Sequence, residues 1–144
     1  LQTKHYSINH VDQSMYTQAH QTSARYDKQV SEFQAVGLSE QWYENFTAPF
    51  VQQSRIQLGM ELREHHNIAL NNTELIIGEI CLINIKDEIV AEDGYVDIEQ
   101  AGSVAVSSLD SYHTTQQLSR LRYAKPGQQP ERLSASIIAA TSED

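Results

Sequence analysis

Between positions 107 and 127 the chain reads SSLDSYHTTQQLSRLRYAKPG. Tyr112 and His113 stand together, Arg120, Arg122 and Tyr123 follow, and Lys125 closes the group. Phenols and an imidazole offer flat faces and hydrogen-bond donors, while guanidinium and ammonium groups can hold an anion such as a phosphate. A second concentration is AHQTSARY, where His20, Thr22, Ser23 and Arg25 crowd short donors around a helix end. Two readings of that stretch stay open: the residues terminate a helix, or they form a wall of a polar ligand pocket. The first run also has a plainer reading, a surface helix with Leu118 and Leu121 inward and its arginines in water.

Other chemistry finds no motif. There is no GxGxxG, no GxxxxGK[ST] and no GxSxG, so neither the glycine-rich phosphate loops nor the nucleophile elbow is present. Zinc has no CxxC or HExxH to use. His5, His10 and the pair His65-His66 are the remaining metal candidates, but neighbouring histidines on a strand point to opposite faces, so no metal site is expected. Glu92-Asp93 sits in a turn, where acids serve the backbone rather than proton transfer.

The chain has 144 residues, a formal charge of −9 and a pI of about 5.0. That length suits one domain. An acidic balance disfavours nucleic acid and anionic membrane surfaces, which require a cationic excess. No run approaches the roughly 18 apolar residues of a membrane helix, and the first sixteen residues lack a hydrophobic block, so no signal peptide is expected. The single cysteine, Cys81, allows no internal disulfide; it lies in an apolar run and reads as a small core residue. A reducing cytoplasmic location fits. The chain opens on Leu1 rather than Met, which points to a processed, trimmed or partial sequence.

The elements that must position these groups follow from periodicity. LQTKHYSINHV reads as a strand with Tyr6 and Ile8 on one face. VDQSMYTQAHQTS reads as a helix capped by Asp12, and DKQVSEFQAVG as a second, with Val30, Phe33 and Val36 on one face and Gly37 as its stop. Ser39 opens a further short turn that ends at Ala48-Pro49. RIQLGMELREHH alternates cleanly, placing Ile56, Leu58, Met60 and Leu62 on one side; residues 65–73 read as a polar loop. ELIIGEICLINIKDEIV is apolar on both sides, as expected of a central strand, or of one covered by a partner chain. Gly78 within it marks a bulge or a close approach. EDGYVDIEQAG reads as a turn at Asp93-Gly94 and a short helix capped by Asp97. The last residues, 131–144, read as a tail.

Three ordered blocks resemble the flavin reductase-like, FMN-binding split-barrel family. The stretch with His20, Ser23, Ser31, Glu32, Phe33, Gly37, Leu38 and Pro49 resembles its helical excursion. IQLGMELREHH and LIIGEICLINIKDEIVAEDGYVD resemble its paired strands, with Gly78-Glu79 at a Gly-Glu/Arg-Val position. AGSVAVSSLDSYHTTQQLSRLRYAKP is similar to the C-terminal segment of one bacterial branch. The resemblance runs from Leu1 to about Pro130. It implies a mainly β fold with helical additions: a split β-barrel of the FMN-binding type over 1–130, incomplete at the N-terminus. The family's earlier strands, whose loops hold the FMN phosphate, have no counterpart.

The resemblance further implies a homodimeric, cytoplasmic flavoprotein that binds flavin and nicotinamide nucleotides and transfers a hydride from NADH or NADPH to FMN. The implied cofactor-binding residues are His20, Ser23, Arg25, Tyr112, His113 and Tyr123. No catalytic acid or base is named, because the protein's task is to align two rings and exclude water. The alternative is a non-enzymatic split-barrel module, for binding or dimerisation, that has lost the flavin site.

Overall fold

In the computed structural model, residues 4–133 are described. Strands dominate, and the order is β1 (His5–Asn9), α1 (Tyr16–Gln21), α2 (Glu32–Val36), β2 (Glu40–Gln41), β3 (Phe50–Val51), β4 (Ile56–Ile68), β5 (Thr73–Ile85), a 3-10 turn (Asp87–Ile89), β6 (Val104–Ser107) and β7 (Ser111–Thr114). The main sheet has three antiparallel strands in the order β1-β4-β5, and β2-β3 and β6-β7 form two small pairs. The main sheet does not close on itself among the described residues, which is the expected incomplete barrel.

Cross-strand partners share a face of a sheet. One face therefore gathers Tyr6, Ile8, Ile56, Leu58, Met60, Ile80 and Ile83. At its lower end Ile56 packs with Ile89 and Ala101, flanked by Ile85, Val90 and Val96, and Met60 further up is buried as well. Ile8, Ile80 and Ile83 remain exposed. The other face carries His5, Ser7, Asn9, Gln57 and Gly59, and the 43–51 segment lies over it. Phe46 stacks on the His5 ring at 4.6 Å, and Phe50, fully buried, has both Phe46 and Tyr43 at 5.0 Å. A Cβ on Gly59 would meet the Phe46 ring at 2.9 Å, so glycine there is what lets the aromatic layer settle on the backbone. Polar groups beneath are all partnered. The Gln57 amide donates to Val51 O (2.7 Å), and its carbonyl accepts from Tyr43 and Asn84. Burial raises the Tyr43 phenol above its usual pKa, against a weaker opposing hydrogen bond from Gln41.

Several expectations need correction. The strand 74–90 is not central: β5 is an edge and ends at Ile85, and its apolar residues Leu75, Ile77, Ile80 and Ile83 are exposed. The 65–73 loop shrinks to four residues, because β4 continues to Ile68 and pairs there with Thr73. Cys81 is exposed, not core. The register jumps from Gly59↔Leu82 to Met60↔Ile80, so Cys81 is the extra residue of a bulge, turned out of the alternation. A second jump between Leu62 and Glu64 falls opposite Gly78, where the Tyr6 ring also approaches; bulge and close approach coincide.

The helices are shorter than their patterns. Asp12 does not cap α1: its carboxylate accepts from Ser14 N (2.8 Å) in a local turn, and its backbone bridges to Ser103. Residues 27–30 form a separate turn, so α2 keeps only Glu32–Val36, stopped by Gly37 at φ 74° as expected. The turn expected after Ser39 begins instead as β2. Asp97 does accept from the Glu99 and Gln100 amides, but only one turn forms before Gly102 at φ 71°. No helix forms over 115–123. Leu118 is 93% exposed and Leu121 half so, so among the described residues they bury no common stripe. The tail expected over 131–144 lies outside the described residues beyond residue 133.

Candidate functional site

The two donor-rich stretches meet because β6 is tied to the end of β1. Val104 N donates to Val11 O (2.9 Å), Gln13 N donates to Gly102 O (3.1 Å), and Asp12 bridges to Ser103. The β6-β7 hairpin then turns at Ser108, which takes a left-handed φ of 59°, and Val106 pairs with Tyr112. On α1, Tyr16 and His20 are four residues apart and share one helix face. That face and β7 converge. The Tyr112 hydroxyl lies 3.1 Å from His20 Nδ1, and its ring lies 5.3 Å from that of Tyr16. His20 meets Tyr112 edge to face at 5.7 Å.

Beside them is a cleft of about 280 Å³ lined by Gln13, Tyr16, Val104, Tyr112, His113 and Thr114. His113 is held from behind by Ser107 Oγ at 2.8 Å from its Nε2. The structure thus brings His20, Tyr112 and His113 together. The other three expected residues stand apart. Ser23 donates to His20 O (2.8 Å) and so terminates α1, the plainer reading of that stretch. Arg25 is exposed and lines no part of this cleft. Tyr123 is 91% exposed and lines a different concavity with Arg122 and Lys125. Tyr16 was missed by sequence reasoning, although its i, i+4 spacing from His20 was there to be read.

The two arginines of the 107–127 run have partners of their own. Arg120 pairs with Asp93 at 2.5 Å and lies 4.1 Å over the Tyr95 ring; Arg122 faces Glu131 at 3.5 Å. The Arg120 hydrogen bond holds the Asp93 carboxyl below its usual pKa. His65 and His66 are likewise engaged, with Glu74 at 2.6 Å and Glu64 at 2.8 Å.

A flavin ring can be tested against this cleft. Tyr16 and Tyr112 supply aromatic faces, and Gln13, His113 and Thr114 supply polar atoms, so the residues fit the ring. They do not fit its phosphate, because no lysine or arginine lines the cleft. The cleft can stack and orient a flat heterocycle; it contains no nucleophile activated by a base.

Comparison with known proteins agrees with the fold. A solved structure of a protein assigned as a flavin reductase with split barrel domain, from Shewanella frigidimarina NCIMB 400, is 50% identical to this chain. It superposes with a TM-score of 0.83 over 85% of the chain and 62% of its own length. Nitrilotriacetate monooxygenase component B from Bacillus cereus superposes with a TM-score of 0.69 at 16% identity, covering 82% of this chain and 60% of that one. Flavoredoxin of Desulfovibrio vulgaris (Miyazaki F) gives 0.67 at 18% identity, over 86% and 63%. A protein of unassigned function from Aquifex aeolicus is 24% identical over 100 residues, 69% of this chain and 50% of its own. No family profile matches. The chain has the split-barrel fold of the flavin reductase-like proteins. It spans about three fifths of the length of these solved relatives. Among the described residues no helix is long and apolar enough to cross a membrane.

Proposed function

We propose that this chain belongs to an FMN-binding oxidoreductase of the flavin reductase type, which takes a hydride from NADH or NADPH and passes it to flavin. The observation that carries this reading is the 50% identity, over 85% of the chain, to a protein assigned as a flavin reductase. When bound, flavin supplies the two-electron chemistry. The chain's own residues do the positioning. Tyr112 and Tyr16 give the ring a stacking wall, the His20–Tyr112 hydrogen bond fixes the orientation of the phenol, and Val104 keeps one side of the cleft dry. Tyr112 and His113 are the residues we assign to flavin contact and His20 positions Tyr112 from outside the cleft, with Ser23, Arg25 and Tyr123 also outside it.

The open apolar face with Ile8, Ile80 and Ile83 supports a homodimer. A monomer at micromolar concentration in light scattering would contradict it. The cytoplasm suits the free thiol of Cys81.

FMN titration tests the reading directly. Flavin fluorescence should be quenched saturably, and NADH or NADPH should then be oxidised in the presence of FMN. Colourless protein that gains no colour with added FMN would leave the non-enzymatic module, which the paired state of Arg120 and Arg122 favours.

A further inference from the structure

A second concavity is lined by residues of the 26–33 stretch together with Glu40, Trp42 and Pro49. It has a volume of about 530 Å³, and its aromatic walls are Tyr26, Phe33 and Trp42. Trp42, the chain's single tryptophan, is 57% exposed there. Its indole N–H donates to Glu40 Oε2 at 3.1 Å, which fixes the ring and holds a carboxylate at its edge. Tyr26 is tethered by Gln21 Nε2, which donates to its hydroxyl at 3.3 Å. Asp27 and Glu32 line the same groove, with Lys28 as its one cation.

The charges decide what such a groove accepts. Among the described residues, seven of the acids outside the groove, Glu61, Glu64, Glu74, Glu79, Glu88, Asp93 and Glu131, stand in ion pairs, whereas Asp12, Glu44, Asp87, Glu92, Asp97, Glu99 and Asp110 do not, so it is the aromatic walls beside its carboxylates that mark this groove. Asp27, Glu32 and Glu40 stand in no ion pair among the described residues. The aromatic faces are free of an internal cation too. The cation–π contact found among the described residues is that of Arg120 over Tyr95, so Lys28 does not occupy the rings. The Arg120 site shows the complete combination in this same molecule: an aromatic face, a carboxylate from Asp93 and a cation between them. The Trp42 groove has the first two parts and lacks the third.

We propose that the Trp42 groove binds a small alkylated ammonium ion, a quaternary ammonium head or a primary alkylamine. A quaternary head sheds water readily and sits over indole and phenol faces, a primary ammonium keeps N–H donors for the carboxylates, and both are attracted by the carboxylate at the ring edge. An anionic ligand is opposed by three carboxylates against one ammonium. This inference is independent of flavin, since none of its residues lines the Tyr112 cleft.

Because Trp42 is the chain's one tryptophan, its emission reports on this groove without a label. The full chain, without added flavin, is titrated with tetramethylammonium chloride, with sodium chloride at matched ionic strength, and with a neutral tert-butyl alcohol of similar shape. The expected result is a saturable change with tetramethylammonium alone, weakened roughly two- to fivefold in Glu40→Gln. Calorimetric titration of Trp42→Leu should show the binding lost, while Trp42→Phe keeps part of it. A response equal to that of sodium chloride overturns the proposal, as does equal binding of the neutral isostere, or unchanged affinity in both Glu40→Gln and Trp42→Leu.

Discussion

Gly78 offers the sharpest test of the packing. A Cβ placed there would overlap the Tyr6 hydroxyl and its ring carbons, because Tyr6 reaches from β1 across β4 onto the β5 backbone. Gly78→Ala therefore carries two opposed effects. In a strand interior alanine is favoured over glycine by about 0.5–1 kcal/mol, since less backbone entropy is lost. Overpacking costs about 1–3 kcal/mol, here because a rigid ring must swing off the sheet. The net expectation is a loss of about 1–2 kcal/mol, or about 3–7 °C in Tm for a domain of this size. Urea melts should show the midpoint falling with the m-value unchanged. Removing the obstacle reverses the sign: in a Tyr6→Ala background, Gly78→Ala should stabilise by roughly 0.5–1 kcal/mol. An equal penalty in both backgrounds would refute the reasoning and place the constraint in the backbone of the neighbouring bulge instead.

Other expectations follow from the same contacts. Phe50→Ala, at a fully buried ring between Phe46 and Tyr43, should cost about 3–5 kcal/mol, read from denaturant midpoints. The folded Asp93 pKa is depressed by Arg120, so its contribution is present above the ordinary carboxylate pKa of about 3.9 and is lost as pH falls through the lower folded value. Arg120→Gln should thus separate from the parent at neutral pH and converge with it in acid, as followed by thermal melts at a series of pH values. Tyr112→Ala should weaken FMN about two- to tenfold in a fluorescence titration if its ring is the stacking wall, and His20→Ala should weaken it less, because it acts through Tyr112.

What could be read from the sequence depended on how far each signal reached. The alternation of Ile56, Leu58, Met60 and Leu62 is local, and β4 formed where it pointed. Gly37 stops α2 for a reason contained in its own backbone. The failures involve partners distant in sequence. Asp12 looked like a cap, but Ser103 claims its backbone from 91 positions away. Leu118 and Leu121 have helical spacing, yet spacing builds a helix only when a surface exists to bury its stripe. Cys81 sat inside an apolar run, and a one-residue bulge put it outside. At the site, His20 and Tyr112 were each legible as residue types. Their meeting was not, because it depends on β6 pairing beside Val11.

The uncovered sheet face carries an energetic consequence. Ile8, Ile80 and Ile83 are each roughly half exposed. Covering a large aliphatic side chain fully is worth about 1.5–3 kcal/mol, so finishing three half-buried ones is worth on the order of 3 kcal/mol. Whole domains are stable by only about 5–15 kcal/mol. A surface laid against Ile8, Ile80 and Ile83 therefore adds an increment that is a substantial share of such a margin. It must be apolar and flat enough to match an antiparallel sheet. A strand apolar on both sides makes sense at an edge only under that condition. The same condition explains why the polar, hydrogen-bonded face with Gln57 and Ser7 is the one the chain covers for itself: those groups need specific partners, which the adjoining 43–51 segment supplies, whereas an apolar face needs only contact.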